Sequence, residues 1–193
     1  MPLGGCEPAR YAADMSVSNQ LNDQQRATIL TGHHAFSRRE MVRHWMLSQQ
    51  DLDFVNERRR QQNRLGFAVQ LCLLRYPGWP LQPDEMPPAN LLLFVSEQLT
   101  VNPQEIREYA KRDPTRVEHL RLLASAYGFC GYYQPYPHKL REHVRHQALT
   151  TDSAFALVQD ALDWLRSRKI IPPALQTLET MVRTVRGEWE KRP

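Results

Sequence analysis

Gln62-Asn63-Arg64-Leu65-Gly66-Phe67-Ala68-Val69-Gln70-Leu71-Cys72-Leu73-Leu74-Arg75 is the stretch whose reading decides the fold. Its apolar side chains (Leu65, Phe67, Ala68, Val69, Leu71, Cys72, Leu73, Leu74) cover every side of a helix rather than one stripe. A helix that is apolar nearly all round is a buried one, so these residues predict the centre of a helical domain, covered by neighbours. Gly66 lowers helix propensity in the middle of the run, which predicts another backbone passing close to it.

Upstream, the sequence predicts a helix over Asp23–Leu30 and a second over Arg38–Trp45, with Ser37 as its N-cap. Ser48 caps the next, which carries Leu52 and Val55 and, at its start, Leu47. It runs out into Glu57-Arg58-Arg59-Arg60. Residues Met1 to Ser18 lack apolar periodicity and read as a disordered leader. Downstream, five prolines fall in the twelve residues from Pro77 to Pro88. Proline removes a donor and clashes with a continuing helix, so this segment reads as a connector.

Helices resume at Pro88 with Leu91, Leu92, Val95 and Leu99. Asn102-Pro103 and Asp113-Pro114 each pair an N-cap with a proline at the first helical position. From Pro114, Val117, Leu120, Ala124 and Tyr127 form a helical stripe, with Gly128 as C-cap. An aromatic loop, Phe129 to Pro137, leads into helices over His138–Leu149, Asp152–Arg168 and Pro173–Trp189. No segment alternates as a strand would. The fold class is all-α and multi-helical: a leader over 1–18, a first module over 19–76, a connector over 77–88 and a second module over 89–193. Short helices with tight turns suit helix-turn-helix docking, and they suit any small helical bundle equally.

Composition narrows the function. The chain has 193 residues, is 41% hydrophobic and carries 25 Lys and Arg against 21 Asp and Glu, for a net charge of +4. Mean hydropathy is −0.58. The longest wholly apolar stretch, Leu91 to Val95, is far short of the ~20 residues of a membrane span. Cys6, Cys72 and Cys130 are odd in number and widely spaced, which argues against a disulfide framework and fits a reducing cytoplasm. The basic residues are mostly arginine, with lysine only at 111, 139, 169 and 191. Arginine is the side chain suited to bidentate contact with phosphate and guanine.

Catalytic and metal chemistry has little to stand on. His143 and His146 share a helix face, but His138 lies off it and no carboxylate or cysteine completes a tetrahedral set. His33-His34 is weaker still. Cys72 sits in an apolar helix and Cys130 in an aromatic loop, where packing is the ordinary fate of a lone cysteine. Asp51 and Asp53, two apart on a helix, face different ways. No glycine-rich phosphate loop is present. No catalytic residue, metal or cofactor is expected.

Two basic clusters remain. Arg58-Arg59-Arg60-Gln61-Gln62-Asn63-Arg64 spans a helix junction without an acid. It can contact phosphates and adenine edges, or it can be a solvated helix end with positive charge near a C-terminal dipole. Lys139, Arg141, Arg145 and His146 make a basic helix face after the tyrosine-rich loop, opposed only by Glu142. Residue types alone leave both readings open.

A resemblance bears on the choice. Leu47-Ser48-x-x-Asp51-Leu52, Arg59-Arg60 and the run Asn63 to Gly78 resemble the N-terminal region of the class II replicative transposases, the ampicillin-transposon family. Agreement continues through Pro87-Pro88, Val95-Ser96-Glu97-Gln98-Leu99, Tyr109-Ala110-x-Arg112, Thr115-Arg116-x-Glu118-His119-Leu120, Tyr127-Gly128-Phe129, Ile170-Ile171-Pro172 and Leu178-Glu179. It spans roughly Leu21 to Arg186. Family members often carry Arg-Arg-Gly before the Asn-Arg-Leu-Gly-Phe run; here the sequence is Arg58-Arg59-Arg60-Gln61-Gln62, which adds a cation and alters the turn.

The resemblance implies a double-stranded DNA partner, the terminal inverted repeats of a transposon. It places strand cleavage in an acidic triad of a domain further along a much longer protein, so this chain is expected to bind DNA and not to cut it. Arg58, Arg59 and Arg60 would anchor on phosphates, Gln62, Asn63 and Arg64 would lie near base edges, and Lys139, Arg141 and Arg145 would grip an adjacent part of the repeat. Full-length transposase or a second copy of the chain is the other partner implied. The alternative is a helical protein-interaction module that holds subunits together without touching DNA.

Overall fold

Side chains that are apolar on every side of residues 65–74 demand neighbours on every side, and the computed structural model supplies them. It describes residues 21–31, 36–82, 85–111 and 113–190. The predicted leader lies outside these residues. Those described form ten α-helices and no extended strand: α1 (Asp23–Thr31), α2 (Arg38–Trp45), α3 (Gln49–Asn56), α4 (Gln61–Arg75), α5 (Ala89–Leu99), α6 (Ile106–Ala110), α7 (Asp113–Tyr127), α8 (Tyr136–Gln147), α9 (Ala154–Ser167) and α10 (Leu175–Glu190). A 3₁₀ turn, Pro103–Glu105, precedes α6. The fold is all-α.

The local signals explain the boundaries. Ser37 and Ser48 each accept from the amide three residues on, while Glu40 and Asp51 reach back to the cap amide, so both α2 and α3 open on a complete capping box. Asn102 accepts from the Gln104 amide ahead of the proline-led 3₁₀ turn. Gly128 follows α7 with φ of +71°, the left-handed conformation that a helix C-terminus favours in glycine.

Helix α4 is wrapped by α2, α3, α5, α6 and α7. Its ten residues from Leu65 to Leu74 are all buried. The close approach at Gly66 is a side chain rather than a backbone: a Cβ there would lie 2.2 Å from Cγ of Tyr109. Gln70, also fully buried, donates to the Tyr109 hydroxyl and to the Arg116 carbonyl, and His119 Nδ1 meets the same hydroxyl at 3.1 Å. Burial, with positive Arg58 nearby, lowers His119 to about 4, so its imidazole is neutral. On α7, Leu120 and Tyr127 pack against the first core, on the stripe that the spacing predicts. Leu123 and His119 are buried, whereas Val117, placed on the apolar stripe by its spacing, is 42% exposed.

The described residues form two apolar cores. The first gathers Trp45, Val55, most of α4, Leu81, Leu91, Val95, Ile106, Tyr109 and Leu123. The second gathers Leu21, just before α1, and Ile29 of α1 with Leu140, Val144, Leu157, Leu165, Val182 and Val185 of α8, α9 and α10. The cores part after Phe129 and not at the proline-rich segment. Helices α5 to α7 complete the first core, and α1 joins the second from the other end of the chain. The proline-rich segment is itself built in: Leu81 is buried, and the Trp79 indole packs on the second core and donates to the Pro173 carbonyl at 2.9 Å. Ile171 packs in return on the first core, and the Arg166 guanidinium lies 5.0 Å from the Tyr76 ring. The predicted connector is a clamp.

Candidate nucleic-acid interface

Helix α3 ends at Asn56, and residues 57–60 turn the chain directly into α4. The turn is held by its own arginines. Arg64 donates from Nε to the Arg58 carbonyl at 2.8 Å and from a terminal nitrogen to the Asn56 carbonyl, capping the end of α3. Arg58 turns inward: its guanidinium lies 5.1 Å from the Phe67 ring and 5.4 Å from Phe54, and it pairs with Glu57 at 2.7 Å. Gln62 and Asn63 are half-buried. Arg59, Arg60 and Gln61 stand exposed, and neither arginine pairs with a carboxylate among the described residues. Arg60 occupies the N-cap of α4 without a side-chain hydrogen bond, so the first amides of that helix lack a side-chain cap beside two free cations.

Of the seven polar residues in the first cluster, two therefore project as free charge and two brace the turn. That division is invisible in the sequence, because the partners of Arg58 and Arg64 are aromatic faces and backbone carbonyls.

The second cluster lies on α8. Lys139 is exposed, and no carboxylate among the described residues pairs with it. Arg141 and Arg145, one turn apart, both reach Glu188 of α10, at 3.2 and 2.7 Å. Two guanidiniums on one carboxylate leave a surplus positive charge, and both remain about two-fifths exposed. His143, on another face, meets Asp160 of α9 and packs beside Trp164. His138 approaches Glu142 at 3.8 Å, and His146 is exposed.

Sequence reasoning passed over a third basic surface. Helix α2 turns Trp45 into the first core with Met41 packed against it, and stacks His44 on Tyr76 at 4.6 Å. Its opposite side presents Arg39 and Arg43, with Val42 beside them and Arg38 at the first turn, all exposed. The signal was there, in three arginines within six residues. In the sequence a helix this short does not show which of its arginines face solvent and which side turns to the core.

The first core also contains a fixed charge network. Asp51, buried at the start of α3, accepts from both terminal nitrogens of Arg75 at 3.0 and 2.8 Å, from the Ser48 amide at 2.7 Å and from the Tyr127 hydroxyl at 2.7 Å. Burial alone would raise its carboxyl; the hydrogen bonds from Arg75, Ser48 and Tyr127 outweigh that and bring it down to about 2. Cys72, fully buried in α4, has its thiol pushed up to about 12 by desolvation and so stays protonated. Both groups are structural in character.

Comparison with known proteins places this arrangement. Residues 21–185 match the family described as domain of unknown function DUF4158. The chain is 38% identical over 149 residues to the transposase for transposon Tn1546 of Enterococcus faecium, covering 77% of this chain and 15% of that protein. It is 36% identical over 143 residues to the transposase for transposon Tn21 of Escherichia coli, covering 74% and 14%. It is 30% identical over 156 residues to the transposase for transposon gamma-delta of Escherichia coli K12, covering 79% and 16%. The chain thus spans about one-seventh of the length of the relatives it matches.

Proposed function

The chain belongs to the DUF4158 family, as the N-terminal region of a class II transposase, and from that premise we propose that it recognises double-stranded DNA at the terminal inverted repeats of a transposon and does no strand chemistry itself. The observation that carries this reading is the division of labour at the α3–α4 turn. Arg58 and Arg64 are spent on bracing the turn, and the turn they brace holds Arg59 and Arg60 free in solvent at the uncapped N-terminus of a long buried helix. Free guanidiniums beside a helix N-terminus form a phosphate-binding arrangement, and a rigid base under them lowers the entropy lost on binding. Gln61, with Gln62 and Asn63 behind it, is the adjoining hydrogen-bonding group. On α8, Lys139 and the surplus charge of Arg141 and Arg145 over Glu188 supply a second phosphate contact. Because the two cores are clamped through Trp79 and Ile171, the two contacts are held in one fixed relation rather than on a loose tether.

The test is a fluorescence titration of the chain against a duplex carrying the inverted repeat of a related transposon and against a scrambled duplex. Tighter binding to the repeat, with Arg59→Ala/Arg60→Ala weakening both duplexes, is the expected result. Equal affinity for both duplexes would remove the recognition claim, and an unchanged affinity in the double variant would remove the turn from the interface. Tight self-association with no affinity for either duplex would favour a protein-interaction module instead.

A further inference from the structure

Resting on that duplex-binding reading, we propose that α2, and not the α3–α4 turn, is the element that reads base sequence in a major groove, with Arg39 and Arg43 as the reading side chains and Val42 as an apolar contact between them. Helix α2 is amphipathic in the sense that groove binding needs. Trp45 is fully buried and His44 is stacked on Tyr76, which anchors the inner side to the first core. The outer side carries Arg39 and Arg43, with Arg38 exposed at the first turn, none paired with a carboxylate among the described residues. The helix's one acid, Glu40, is turned back on Ser37, accepting from its amide at 2.9 Å and from its hydroxyl at 2.7 Å, so it is held at the cap.

Arg39 and Arg43 stand four residues apart, one above the other, and like charges at that spacing repel. A polyanion relieves the repulsion, whereas no carboxylate among the described residues does. Val42 is 41% exposed between them, and Met46, 49% exposed, follows one turn on. Arginines flanking a bare aliphatic match a base-pair edge that offers guanine O6 and N7 beside a thymine methyl. An eight-residue helix, about 12 Å long, fits within a groove about 12 Å wide. The turn at Arg59 and Arg60 lies at the other end of α4, roughly 20 Å from the Tyr76 end that α2 packs against, and suits the phosphate backbone rather than the bases.

The experiment incubates the full chain with short duplexes randomised at their centre and sequences the bound fraction through successive rounds. The parent chain is expected to enrich a motif. Arg39→Lys/Arg43→Lys, which keeps the charge and abolishes the bidentate fork, is expected to lose that motif and to bind the enriched duplex about tenfold or more weakly. Arg59→Ala/Arg60→Ala is expected to keep the motif and weaken on every duplex alike. These side chains are exposed, so unchanged thermal melting verifies that each variant is folded. Enrichment of the same motif at unchanged affinity by the lysine variant overturns the assignment of α2 and leaves the duplex-binding reading standing. Binding of the parent chain to all duplexes without a motif also overturns it. Failure of the parent chain to bind any duplex at low salt overturns both.

Discussion

Asp51 is 3% exposed and holds a guanidinium, a serine amide and a tyrosine hydroxyl at once, so its protonation is a stability switch with a defined sign. Its folded value of about 2 lies below the ordinary carboxylate value. The stabilisation is therefore complete above about pH 5 and drains away as the pH falls towards 2, amounting to about 2 kcal/mol. Urea melts at neutral pH and near pH 3 should show about half of that loss, and Asp51→Asn should start lower and lose less over the same interval; equal losses in the two proteins would take Asp51 out of the account. Gly66 gives a second residue-scale prediction. Tyr109 cannot retreat from an added methyl while Gln70 and His119 hold its hydroxyl, so Gly66→Ala should cost about 2 kcal/mol or more in a denaturant titration. A variant as stable as the parent would mean the ring is free to move.

At the scale of helices, the capping box of α2 fixes where its arginines begin. Ser37→Ala should cost about 1 kcal/mol of stability, measured by thermal melting, because the Glu40 amide then loses its acceptor; a neutral result would show that the packing of Trp45 alone places the helix. How much of this could be read from the sequence follows from range. Ser37 with Glu40, Ser48 with Asp51 and Asn102 with Pro103 are signals contained in four residues or fewer, and each marked a real boundary. The burial of α4 was equally plain, because eight apolar side chains on all sides of one helix have no other stable place. On α7 the apolar spacing finds Leu120 and Tyr127 on the first core but not the burial of His119, whose partner Tyr109 lies ten residues back on another helix. The basic clusters were legible as composition and opaque as geometry: Arg141 and Arg145 find Glu188 more than forty residues on, and Arg64 finds backbone carbonyls.

Across the whole molecule, the cores divide in a way no local signal reveals, since α1 crosses from the beginning of the chain to complete the core of α8, α9 and α10. The proline-rich segment joins the two by inserting Leu81 into one and Trp79 against the other. Trp79→Ala removes both a large packed ring and the bond to Pro173. It should cost about 3 kcal/mol and broaden unfolding so that probes in the two cores no longer melt together; coincident transitions at unchanged stability would show the clamp to be dispensable. The central claim is that free arginine charge on a rigid helical base meets the phosphates of a duplex. Its most direct test is the affinity of the chain for double-stranded DNA as a function of salt. If Arg59, Arg60, the α8 face and α2 together neutralise four or more phosphates, the logarithm of the binding constant falls against the logarithm of salt with a slope of about −3.5 or steeper. An affinity that barely changes with salt would contradict the account at its base.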